Sequence, residues 1–191
     1  MKKLLSILLG VFLCIQAFAQ VNVNGGYLNS TFRSHESGYS YNVNGNGFYV
    51  GASTDIALPY QHLYFSPGLN FDLVDYNFGE GVDVVEYFLT APLHVKYVHP
   101  FSNVGDLFIS GGPSLLCTLG GKSRYSYGGA SYTESEKGGD FDITLGLEGG
   151  ILLSNNLKLM LGYDFGLLNQ SGDNDYKVTR NYLHIGLGYV F

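Results

Sequence analysis

Leu183-His184-Ile185-Gly186-Leu187-Gly188-Tyr189-Val190-Phe191 closes the chain. Its odd positions are all apolar or aromatic, and its even positions, Val190 apart, are histidine or glycine. A strand turns successive side chains to opposite faces, so Leu183, Ile185, Leu187, Tyr189 and Phe191 share one side. The spacing predicts a terminal strand over Val178 to Phe191 with one unbroken apolar face.

Seven segments upstream repeat the same period of two. They run roughly over Val21 to Phe32, Gly47 to Leu58, His62 to Asp75, Val84 to Val98, Asp106 to Leu119, Asp140 to Leu152 and Leu157 to Leu168. In the fourth, Val85, Tyr87, Leu89, Ala91, Leu93, Val95 and Tyr97 line up, with Glu86, Thr90, His94 and Lys96 opposite. No helical stripe of useful length follows residue 20. Alternation of this kind fits a soluble barrel with its apolar side inward, or a membrane barrel with its apolar side toward lipid.

Three features favour the membrane barrel. The segments have the length of tilted spanning strands. The connections alternate between short (Pro59 to Gln61, His99 to Gly105, Leu153 to Asn156) and longer (Arg33 to Asn46, Tyr76 to Asp83, Gly120 to Gly139, Asn169 to Lys177), as short periplasmic turns and long outer loops do. Tyr87, Tyr97, Tyr163 and Tyr189 sit near strand ends, where interfacial aromatic girdles lie. The expected fold is an all-β, eight-stranded antiparallel up-and-down transmembrane β-barrel, with its apolar face on lipid and its polar face filling the lumen.

The start of the chain fits that destination. Lys2 and Lys3 precede an apolar run from Leu4 to Ile15, and Ala17-Phe18-Ala19 follows. A basic start, a short apolar core and a small-x-small site define a secretory signal peptide cut between Ala19 and Gln20. The run is too short for the roughly 20 residues of a spanning helix. The expected organisation is a signal peptide over 1–19 and one barrel domain over 20–191. That domain has eight basic and sixteen acidic residues, a net charge of −8. Such a balance, without Lys/Arg clusters, argues against nucleic acid as a partner. Cys117 is then alone, which excludes an internal disulfide and a zinc site built on cysteine pairs.

The last nine residues resemble the C-terminal signature of outer-membrane barrels, an aromatic end preceded by alternating apolar residues. The resemblance makes Leu183, Ile185, Leu187, Tyr189 and Phe191 a signal read by the barrel-assembly machinery. Gly47-Phe48-Tyr49-Val50-Gly51, Leu63-Tyr64-Phe65-Ser66-Pro67-Gly68-Leu69, Tyr87-Phe88-Leu89-Thr90-Ala91-Pro92-Leu93-His94-Val95-Lys96-Tyr97 and Gly111-Gly112-Pro113 extend it. On these segments the chain resembles the PorT-like small outer-membrane barrels of Bacteroidetes. The likeness implies a fold and a bacterial outer-membrane location, and no chemistry.

Eight strands enclose an interior that side chains fill, so buried charges must be paired. Counting back from the turns places Glu148 beside Lys158, Lys96 opposite Asp106, and Asp72 opposite Glu86. The last pair is uncomfortable and calls for Arg180, a shared proton or a metal. Asp72, Glu86, Lys96, Asp106, Glu148 and Lys158 thus form the expected lumen charge network. A lipid- or peptide-modifying enzyme would need a His/Asp/Ser set at the outer mouth. His35, between Ser34 and Glu36, stands there without a second histidine. No catalytic residue, cofactor or metal ligand is assigned, and Ser171-Gly172-Asp173-Asn174-Asp175 reads as a turn. The third outer loop, with Tyr125, Tyr127 and Tyr132 among serines and glycines, has the composition of an adaptable contact surface for a protein or glycan. The expected function is a non-enzymatic barrel in outer-membrane lipid, with a structural, adhesive or secretion-accessory role through its loops. The alternatives are a narrow solute channel, a lipid-modifying enzyme and a soluble lipocalin-like carrier.

Overall fold

A computed structural model describes residues 20–36, 39–79, 81–127, 130–154, 156–169 and 176–191. The expected signal peptide and the Ser171–Asp175 turn lie outside the described residues. The strands are β1 (Gln20–Glu36), β2 (Tyr39–Ala57), β3 (Leu63–Gly79), β4 (Val82–Ser102), β5 (Gly105–Tyr127), β6 (Ala130–Lys137), β7 (Phe141–Leu153), β8 (Leu157–Gly166) and β9 (Tyr176–Val190). All pair antiparallel. The order β4-β3-β2-β1-β9-β8-β7-β5 is closed into a ring by β4 pairing with β5, and β6 hangs on β5 outside it.

The register sets the shape of the ring. A path across the ladders from Asn22 passes Ser53, Gly68, Pro92, Ser114, Thr144, Gly166 and Arg180, and re-enters β1 at Phe32, ten residues further on. Eight strands with a shear of ten tilt by about 40° and enclose a radius of about 8 Å, given the spacings of a β-sheet. Ten residues of strand at that tilt rise about 25 Å, the height of the apolar band of an outer-membrane barrel.

The two faces are distributed opposite to those of a soluble protein. Phe48, Leu147 and Leu187 are 64%, 55% and 62% exposed on the outside, whereas Thr144, Asp142 and Lys158 are 0%, 4% and 6% exposed within. In water this arrangement would expose the apolar strand faces and bury the charges, reversing the usual preference. Against hydrocarbon it is the stable one. The soluble lipocalin-like alternative required an apolar interior and is thereby corrected.

Three expected outer loops are in large part strand. The ladders continue out to Glu36 against Tyr39, Gly79 against Val82 and Tyr127 against Ala130. These segments are rich in Tyr, Ser, Thr and Asn, and continuing the ladder satisfies backbone groups that a loop would leave to water. The asymmetry between the two ends therefore lies in strand overhang. At the longest overhang, β5 leaves β7 at Cys117 and takes up β6 from Gly120. The changeover is made at Gly120 and Gly139, whose φ of 146° and 132° only glycine adopts readily.

Leu147 lies midway along β7 and faces outward. Leu147→Arg is expected to cost about 2–4 kcal/mol in equilibrium unfolding from lipid vesicles, the penalty for a cation at mid-bilayer. Tyr132→Arg, on the overhanging hairpin, should change stability by less than about 0.5 kcal/mol in the same assay.

Candidate functional site

The inward face of the ring carries the candidate site. Near the end that holds Gln20 and Val190, the Lys96 ammonium on β4 pairs with Asp55 on β2. Asp55 also accepts hydrogen bonds from Asn22 at 3.3 Å and Ser66 at 2.5 Å. One layer further in, Lys158 Nζ lies 3.0 Å from Glu148 Oε1. Both ammoniums flank the Phe108 ring, at 5.7 Å for Lys96 and 4.5 Å for Lys158 from its centroid.

His184 continues the chain of contacts. Its Nε2 lies 3.4 Å from Glu148 Oε2 and its Nδ1 3.2 Å from Asp164 Oδ2, so one imidazole spans two carboxylates. The ring lies against Gly162, where a Cβ would come within 2.1 Å of Nε2. His94 is a neighbour, with Nε2 3.2 Å from Ser114 Oγ. Asp72 accepts a hydrogen bond from Thr90.

Toward the hairpin end the lumen turns aromatic. Arg180 on β9 pairs with Glu86 on β4 at 3.2 Å. Its guanidinium sits 4.0 Å from the Phe32 ring centroid and 4.7 Å from that of Phe88. Planar guanidinium over aromatic faces is favourable, and more so where water is excluded. Tyr76, Phe88, Val74, Leu116 and Leu28 pack around this layer as the buried apolar cluster of the barrel.

Several sequence expectations are corrected by the register. Asp72 lies opposite Phe88, and Glu86 lies opposite Val74. The two carboxylates do not face each other, and Glu86 takes Arg180 as its partner. Lys96 lies opposite Ser110, while Asp106 lies opposite Pro100 and lines the cavity at the terminus end. Lys96 bonds Asp55 in place of Asp106. Glu148 lies opposite Gly162 in the ladder, and the long Lys158 side chain reaches it from four positions along. The turns are not centred where the sequence places them, and a shift by an even number keeps each residue on its face while changing its partner. His184, Asp164 and Asp55 belong to the lumen contacts without having stood in the expected network, whereas Arg180, expected to reach the Asp72 and Glu86 region, does so by pairing with Glu86. The His35 side chain lies outside the described residues.

Among the described residues the lumen holds two cavities of note. One of about 80 Å³ lies at mid-barrel, with Tyr49, Asp72, Thr144, Asp164 and His184 in its wall. Another of about 150 Å³ lies at the terminus end against Gln20, Asn22 and Asp106. Asp55, Lys96 and Lys158 border both and separate them.

Removing one partner of a buried ion pair strands the other charge. Lys96→Met is therefore expected to cost about 3–5 kcal/mol in urea unfolding of the folded barrel. The double variant Lys96→Met/Asp55→Asn should recover most of that loss, and a double variant as unstable as the single one would show that packing, not charge, sets the cost.

No curated protein matches the chain in sequence. Among solved structures it is similar to Ail, the attachment invasion locus protein of Yersinia pestis, at 19% identity over 91% of this chain and 99% of that one, TM-score 0.44. It is similar to Neisserial surface protein A at 16% identity over 90% and 97%, TM-score 0.48. It is also similar to OprG from Pseudomonas aeruginosa at 12% identity over 91% and 96%, TM-score 0.44. Residues 5–191 match the family described as outer membrane protein beta-barrel domain, and the chain belongs to that family of outer-membrane barrels.

Proposed function

We propose that the chain is a non-enzymatic integral barrel whose lumen is plugged by its own side chains and whose overhanging hairpins carry its role at the cell surface. In this reading the signal peptide over 1–19 exports it, and the alternating end from Leu183 to Phe191 guides its insertion by the barrel-assembly machinery. Both mature termini then lie in the periplasm, and the β5–β6 hairpin faces outward. The resemblance to PorT-like barrels extends the role from adhesion or structure to assistance in secretion.

The observation that carries the reading is that hairpin. The ladder from Gly120 to Tyr127 against Ala130 to Lys137 stands beyond the ring, and β6 pairs with no strand but β5 among the described residues. Its Tyr132 is 65% and its Tyr125 42% exposed. Tyrosines on a rigid ladder offer large amphipathic contact area at low entropic cost, which suits a protein or glycan partner. The ion-paired lumen and the Arg180–aromatic layer favour a closed barrel over the narrow-channel alternative.

In planar lipid bilayers the folded protein is expected to give no steady conductance above the bare membrane. Stepwise openings of uniform size would replace the plugged reading with the channel. Tyr125→Ser/Tyr132→Ser should lower attachment of expressing cells to glycan- or matrix-coated surfaces several-fold while leaving the amount of folded barrel in the outer membrane unchanged. Attachment equal to that of the unaltered protein would remove the adhesive role.

A further inference from the structure

We propose that the mid-lumen cavity is a binding site for a single-charged cation no larger than methylammonium, with Asp72 as its counter-charge. Four carboxylates border this cavity: Asp55, Asp72, Glu148 and Asp164. Asp55 is matched by Lys96 and Glu148 by Lys158, while His184 spans Glu148 and Asp164. Asp72 is 6% exposed, and its contact is the hydroxyl of Thr90, a neutral donor. Among the described residues no Lys, Arg or His forms an ion pair with it. An ionised carboxylate buried to this degree is stabilised by a positive partner.

The cavity wall supplies the remaining ligands. Asn24 Oδ1, Tyr49 Oη and Thr144 Oγ1 are buried oxygens without a hydrogen-bond partner, and all three residues line the same space. Tyr49 and Thr144 are 7% and 0% exposed. Tyr49 stands directly opposite Asp72 in the β2–β3 ladder, so hydroxyl and carboxylate come from neighbouring strands. Buried native oxygens are rarely left unpaired, and each of these has lone pairs to offer a cation or an N–H donor.

The chemistry of this set selects the ligand. One carboxylate with neutral oxygens balances one positive charge. Among the described residues no group of three His, Cys, Asp or Glu is placed to hold a metal ion, which argues against a divalent or transition metal here. A space of about 80 Å³ holds about three waters at their liquid volume, or one small cation with part of its hydration. Sodium, potassium, ammonium and methylammonium all meet that description, whereas the four methyl groups of tetramethylammonium make it bulkier and block both direct coordination and N–H donation to the oxygens.

The full mature chain, folded in detergent, tests this directly. Its thermal unfolding would be followed by heat-modifiable gel migration while one of those four chlorides replaces tetramethylammonium chloride at constant ionic strength. The expected result is a saturable rise in unfolding temperature for at least one small cation. Asp72→Asn should abolish the rise, and Tyr49→Phe or Thr144→Val should raise the half-saturating concentration about fivefold, the loss of one polar contact. A response shared equally with tetramethylammonium, or one retained in Asp72→Asn, would mean general screening of surface charge and overturn the site. No response to any cation would leave Asp72 with a proton or water as its neutraliser and overturn it equally. Should Asp72→Asn not fold, the Thr144→Val half-saturation decides, and an unchanged value counts against the proposal.

Discussion

Backbone hydrogen bonding in hydrocarbon is the constraint on which the rest of this structure depends. No water reaches the middle of a bilayer, so every N–H and C=O there needs a protein partner. The pairing of β4 with β5 meets that demand by turning an open sheet into a ring without edges. Once the ring closes with eight strands and a shear of ten, tilt, radius and height follow from strand geometry. Beyond the apolar band the same ladders run on into water, where closure is no longer required. There β6 can leave the ring and stand on β5 alone.

Closing a ring of this radius creates a second problem inside it. The inward face cannot be apolar throughout, because the outward face has taken the apolar positions and strands alternate. The barrel resolves this by layers. Lys96–Asp55 and Lys158–Glu148 neutralise one another at the terminus end, with Phe108 between the ammoniums. His184 ties Glu148 to Asp164 at mid-height. At the hairpin end, Arg180 is held between Phe32 and Phe88 and neutralised by Glu86. Lys96–Asp55, His184–Glu148 and Arg180–Glu86 join strands that are not sequence neighbours, so these contacts also resist slippage of the register.

Much of the candidate site was legible as a set and illegible as a set of pairs. Period two places Asp72, Glu86, Lys96, Glu148, Lys158 and His184 on the inward face, because the face of a residue depends only on whether its number is odd or even along a strand. Partners depend on register, and register depends on where each turn lies. An offset of two at the β3–β4 turn is enough to take Asp72 from Glu86 and set it opposite Phe88. The aromatic layer was hidden for another reason. Val74, Tyr76, Phe88 and Leu116 break the polar pattern of the inward face, and period alone gives no reason to expect an apolar plug at one end of it.

By itself the sequence determined the strand count of the ring, the alternation of side chains between its two faces, and the acidic, Lys/Arg-poor character of the chain. All of these are local properties, read within one strand or summed over the chain. Only the tertiary structure decided the ion-pair partners, the shear, the continuation of the outer loops as ladders and the cavity beside Asp72. Those depend on which residues from distant strands meet across the ring, and closure of the ring fixes that meeting after all eight strands are in place.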